Sequence, residues 1–134
     1  MNYQSNLIIP FEYVVTSGAT ALAGNASAQV TLTLSADSAF ELLAILGTST
    51  LDAATDYSPN NFSVQIIDQS TGRQLSNARV PQRNMFGAMT GNLPEKYPIR
   101  FPASCVLLFD ILNLSGSSNT VTITLKGYKV YGSL

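Results

Sequence analysis

Apolar and polar residues alternate one for one in three separate stretches of this chain, and that period of two dictates strands. In Ala28–Ser35, Val30, Leu32 and Leu34 fall on one side and Thr31, Thr33 and Ser35 on the other. Asn61–Asp68 repeats the pattern, with Phe62, Val64 and Ile66 against Ser63 and Gln65. From Thr120 onward, Val121, Ile123 and Leu125 alternate with Thr122, Thr124 and Lys126. Side chains on a pleated strand point to opposite faces in turn, so each stretch buries one face and wets the other. Ile9–Ser17, with Pro10 near its start, and residues 98–102 and 104–114 supply further strands. The last of these is apolar on both faces and belongs at the centre of a sheet.

Short strands separated by Gly, Pro, Asn, Asp and Ser clusters predict an all-β fold: an antiparallel β-sandwich, jelly-roll-like, of about eight strands, with a closed barrel as the alternative. The 134 residues suffice for one core. Residues 1–9 form a polar, then apolar, N-terminal arm, and residues 10–134 form the single sandwich domain. Gly18–Ser27 reads as a loop, and Thr48–Asn60 and Gln82–Tyr97 as two long ones. Across Gly127 the apolar parity slips to Tyr128 and Val130, the mark of a β-bulge in the last strand. Ala39–Leu46 carries two signals. Ser38 and Glu41 have capping-box spacing and Gly47 is placed to end a helix. A helix of two turns has little stability of its own, which favours a buried strand.

Catalysis has little to work with. There is no histidine, so the commonest general base and imidazole ligand are missing, and Ser-His-Asp or Cys-His arrangements cannot form within the chain. The single cysteine, Cys105, precludes an internal disulfide and a multi-cysteine zinc site; its apolar neighbours predict a buried structural thiol. Asp52 and Asp56 share a loop without calcium-loop spacing and read as turn-terminating acids. A glycosidase using a carboxylate pair and a sugar-binding surface built on tyrosines are minor readings, the latter weakened by the absence of tryptophan. Asn25-Ala-Ser27, Asn61-Phe-Ser63 and Asn113-Leu-Ser115 match the glycosylation sequon, as expected by chance in a chain rich in Asn and Ser. No cofactor is expected. The opening residues lack a basic segment before an apolar one, and no run reaches the ~20 apolar residues that span a bilayer. Synthesis and folding in a reducing cytoplasm are the expectation.

Charge is sparse and segregated. Charged residues make up 11%, well below a free domain's usual surface, which points to a protein partly hidden in an assembly. Residues 1–72 hold six carboxylates and no Lys or Arg, for a charge of −6, and the remainder carries +5. The first basic residue, Arg73, is followed by Arg79, Arg83, Lys96 and Arg100. Two outcomes are open: these arginines pair with the acidic half inside the fold, or they grip carboxylates of adjacent subunits. A net charge of −1 argues against nucleic acid. Arg79 and Arg83 flank Val80-Pro81, a semi-rigid mount for interface anchors, and Met85, Phe86 and Met89 lie in a Gly-rich loop where apolar side chains need cover.

The runs NNFSVQIIDQSTGRQLSNARVPQR and PIRFPASCVLLFDILNLSGSSNTVTITLKGYKVYG resemble those of small structural proteins of tailed-bacteriophage virions, in particular capsid cement or decoration proteins. The resemblance implies a non-enzymatic, homo-oligomeric protein (dimer or trimer) on the capsid exterior. It would tie major capsid proteins together without contacting membrane or nucleic acid. It carries over no catalytic residues. The expected interface residues are Ile8, Ile9, Arg73, Arg79, Arg83, Met85, Phe86, Met89 and Arg100, with the N-terminal arm lying across a neighbour. The alternative is a head–tail connector, tail-associated or fibre-base domain, including a receptor- or glycan-binding module.

Overall fold

The computed structural model describes residues 7–18, 21–51, 61–82 and 94–132. In chain order the strands are β1 (Leu7–Thr16), β2 (Ser27–Thr33), β3 (Ala39–Leu51), β4 (Phe62–Asp68), β5 (Arg73–Gln74), β6 (Val80–Pro81), β7 (Pro94–Phe101), β8 (Val106–Asn113) and β9 (Asn119–Tyr131). They form two antiparallel sheets, one ordered β1-β9-β3-β7 and the other β2-β8-β4-β5, with β6 also paired to β4. The pairs are nested: β1 with β9, β2 with β8, β3 with β7, and β4 with β5 and β6. A long hairpin that wraps so that successive pairs fall in alternate sheets is a jelly roll. β5 and β6 meet β4 separately, at Ile67–Asp68 and Ser63–Val64, and the described residues form nine strands where about eight were expected.

The core lies between the sheets. Tyr13, Val15, Phe40, Leu42, Ile45, Phe101, Val121, Ile123 and Leu125 come from the first sheet, and Phe62, Val64, Ile66, Leu107, Phe109 and Ile111 from the second. The inward residues of β4 and β9 are those the alternation assigned, because a one-residue slip would turn each strand's apolar set to water. β8 is central, between β2 and β4, as its doubly apolar character required. The β4–β5 turn closes through Gly72, whose φ of 75° a side chain tolerates poorly, and through the Asp68 carbonyl, which accepts from Gly72 N at 2.8 Å.

Several boundaries differ from the sequence reading. Ala39–Leu46 is strand and continues to Leu51, so the first long loop starts later than Thr48; β7 begins at Pro94, which shortens the second. β1 begins at Leu7, so Leu7, Ile8 and Ile9 belong to the domain's own sheet; residues 1–6 of the expected arm lie outside the described residues. The irregularity near Gly127 is in the partner strand. β9 pairs with β1 without a break, whereas β3 shifts register between Leu42 and Ala44, making Leu43 the extra residue opposite Gly127 and Lys126. β9 keeps its pairing parity: Tyr128 stays exposed on the outer face, Val130 is buried, and Lys129 takes the inward position, with its amine donating to Ser35 Oγ at 3.1 Å and lying 4.1 Å from the Phe11 ring centre.

Candidate functional site

The described ionic side chains neutralise one another inside the chain. Lys126 pairs with Glu12 at 3.5 Å, Lys129 with Asp37 at 3.9 Å, Arg100 with Glu41 at 3.2 Å, Arg79 with Asp110 at 3.0 Å and Arg73 with Asp68 at 3.8 Å. Four of these five pairs join the acidic first 72 residues to the basic remainder. The charge segregation therefore has an intrachain cause. In a nested fold early strands pair with late ones, β1 with β9 and β3 with β7, so opposite charges far apart in sequence meet across neighbouring strands. Of the expected anchors, Arg73, Arg79 and Arg100 each pair with a carboxylate of their own chain and remain partly exposed. Val80-Pro81 is a short strand on β4. Arg83, Met85, Phe86 and Met89 lie outside the described residues.

Ile8 and Ile9 have a different setting. Among the described residues, the exposed large apolar ones are Leu7, Ile8, Ile9, Phe11, Val14, Tyr128 and Leu114, and all but Leu114 sit on β1 or its pairing partner β9. Even-numbered residues of β1 share the outer face with Tyr128. Odd-numbered ones point inward, where Tyr13 and Val15 are buried but Leu7, Ile9 and Phe11 remain exposed. The first half of β1 is thus apolar and wet on both faces. Leu7, Phe11, Val14 and Tyr128 were not among the residues picked from sequence. An unalternating apolar run interrupted by a proline was the available signal, because Pro marks an edge strand and apolar residues on both faces mark one that needs cover.

β1 is an edge, and its backbone is blunted. Ser17 N donates to Val121 O at 2.8 Å, which places the hydrogen-bonding groups of odd-numbered β1 residues toward β9. The groups of Ile8, Pro10, Glu12, Val14 and Thr16 then face the open side, and Pro10 has no N–H to offer there. A further strand cannot pair continuously along this edge. Contact is directed to the side chains instead. On the outer face a shallow cleft of about 260 Å³ runs between β1 and β3 over Gly127, lined by Pro10, Glu12, Leu43, Lys126 and Tyr128. It lies beside the bulge at Leu43.

The second polar cluster is internal. Asp68, fully buried, accepts at Oδ1 from Ser70 N at 3.0 Å, Thr71 N at 3.3 Å and the Cys105 thiol at 3.1 Å. Burial works against the carboxylate's charge, but hydrogen bonds from Cys105, Thr71 and Ser70 outweigh it and hold its pKa below the ordinary value. Burial, followed by the bond to Asp68 and its negative charge, pushes the Cys105 thiol up to about 11. That thiol stays protonated at neutral pH and is a poor nucleophile. Above pH 9 the unfolded chain releases a thiol proton that the folded chain retains, so this contribution is complete below pH 9 and is lost by about pH 11, at a cost of about 2–3 kcal/mol. Asp68 has the opposite sense: its contribution is present above pH 3.8 and disappears on acidification. Urea unfolding of the wild type at about pH 8 and pH 10.5 should show an alkaline loss that Cys105→Ser, which keeps a donor but does not titrate, largely abolishes.

Among the described residues, no group of three His, Cys, Asp or Glu side chains is placed to hold a metal ion. Two of the three sequon asparagines, Asn61 and Asn113, are buried in the fold and closed to a glycan. No family model matches this chain, and no curated protein sequence does either.

Proposed function

We propose that this chain is a non-enzymatic structural protein of a tailed-bacteriophage virion, a cement or decoration protein that binds an assembled capsid from outside. The observation that carries the reading is the apolar, doubly exposed strand β1 on a domain whose described charges are already paired internally. Such a strip in water is a liability unless another surface covers it. A rigid two-sheet scaffold with a blunted edge presents it without inviting uncontrolled strand addition. Jelly rolls serve widely in viral capsids, which agrees with the resemblance of the sequence to phage head proteins. Weak contacts repeated over several copies give secure attachment through avidity.

The test is co-sedimentation of the purified protein with undecorated heads. Saturable binding that survives moderate salt is expected, because apolar contacts are not screened. Leu7→Glu together with Ile9→Glu should reduce occupancy at least tenfold, whereas Arg79→Ala, which removes a side chain already engaged by Asp110, should leave occupancy unchanged. Failure of the wild type to bind heads would remove the cement role. A glycan-binding module on a tail or fibre is the second reading, favoured by Tyr128 beside Glu12 and Lys126 in the outer cleft. It predicts saturable binding to host surface polysaccharide that Tyr128→Ala abolishes.

A further inference from the structure

The outer face of the β1–β9 ribbon has the composition of a surface that fits itself. Reading outward positions along β1 gives Ile8, Pro10, Glu12 and Val14, and the β9 residues paired with them are Val130, which is buried, and the more open Tyr128, Lys126 and Thr124. One carboxylate and one cation thus lie side by side at the middle, with apolar groups on both sides. A two-fold axis running parallel to the strands, between β1 and β9, lays β1 of one copy over β9 of the other. Glu12 then faces the other copy's Lys126, and Lys126 faces its Glu12. Pro10 falls over the other copy's Tyr128 and the cleft above Gly127, and Val14 over its Thr124.

We propose that this face is the seat of a second copy of the chain, forming an isologous dimer in which β1 of each copy covers β9 of the other. Three features favour a second copy over another occupant. The charges on the ribbon are balanced one against one, so two copies do not repel, and the two-fold turns each intrachain Glu12–Lys126 pair into part of a four-membered square of alternating sign. The same face carries Ile8 and Val14, each 55% exposed, and a cleft beside Tyr128 over which the other copy's Pro10 falls. Pro10 prevents the open edge from recruiting a strand, which leaves sheet-to-sheet contact as the way to cover these residues. The ten paired positions make an outer face of roughly 34 Å by 10 Å, about 330 Å² per copy, the size of a weak, transient contact. The dimer deepens the docking reading given above, since two joined copies supply the avidity a cement needs.

Charge exchange tests the arrangement. Sedimentation equilibrium of the isolated protein from about 1 to 100 µM should give a monomer–dimer equilibrium. Glu12→Lys leaves two cations on each ribbon and Lys126→Glu leaves two carboxylates, so each variant alone should dimerise at least tenfold more weakly. Both remain folded, because the pair they disrupt is a solvent-exposed one on a sheet surface. Mixed one to one, the two variants should form a heterodimer as tight as the wild type, since every charge then meets its opposite across the axis. A purely structural role for Glu12 and Lys126 gives no such rescue. A wild type that sediments as a monomer throughout, or a mixture no tighter than its components, overturns the proposal. The capsid reading fails separately: a monomer that still decorates heads sinks only the dimer, and a dimer that ignores heads sinks only the cement role.

Discussion

Gly127→Ala is expected to leave the chain largely unfolded, with a loss of more than about 4 kcal/mol. A Cβ at position 127 would stand 1.9 Å from the carbonyl oxygen of Glu41 and 2.9 Å from its carbonyl carbon. Both obstacles are backbone atoms of β3, the strand paired to β9 at the middle of the sheet, so no rotamer change relieves the overlap. The two strands would have to separate where Phe40 and Leu42 seal the core. The approach is close because the extra residue at Leu43 kinks β3 toward its neighbour. Circular dichroism and thermal melting measure the effect. A cooperative transition within a few degrees of the wild type would mean that the bulge relaxes freely.

Asn113→Leu is the second large effect, expected to cost about 3–4 kcal/mol and to lower the melting temperature by roughly 10–15 °C for a domain of this size. Asn113 is fully buried at one end of the sandwich and serves as its hub. Its amide nitrogen donates to the carbonyls of Leu22 at 3.1 Å, Ala23 at 3.0 Å and Ser117 at 2.9 Å. Its amide oxygen accepts from Ser115 N at 3.0 Å and Asn119 Nδ2 at 3.4 Å. Leucine has the right volume but none of these bonds, and it leaves partly buried carbonyls and the buried Ser115 N–H without their partner. Asn113→Asp should be at least as damaging, because a carboxylate would face the same three carbonyls without a proton to share. Equilibrium unfolding in urea gives both numbers; a loss below 1 kcal/mol for either variant would show that water reaches this end of the fold.

The polar hub shows where sequence reasoning stops. Asn113 follows an apolar strand and forms a sequon with Ser115, and neither feature reveals that five groups converge on it. Its partners at Leu22 and Ala23 lie 91 and 90 residues away, brought in by the loop before β2. Ala39–Leu46 teaches the complementary lesson. The inward residues are Phe40, Leu42 and Ile45, a spacing of two followed by three. One inserted residue in a strand mimics part of a helical repeat, which is why the segment carried both signals.

The alternation in the segments of β2, β4 and β9 by itself determined that the chain is an antiparallel β protein and which side chains of β4 and β9 face the core. Those properties are local, set by the pleat and by the conformations each residue tolerates. Only the tertiary structure decided the order of strands, and with it the partners of every charge and the identity of the open edge. Nested pairing carries the basic late strands onto the acidic early ones, so charges segregated along the sequence meet one another within the chain. The same topology leaves β1 with one side unpaired, and there a short apolar run becomes an exposed surface.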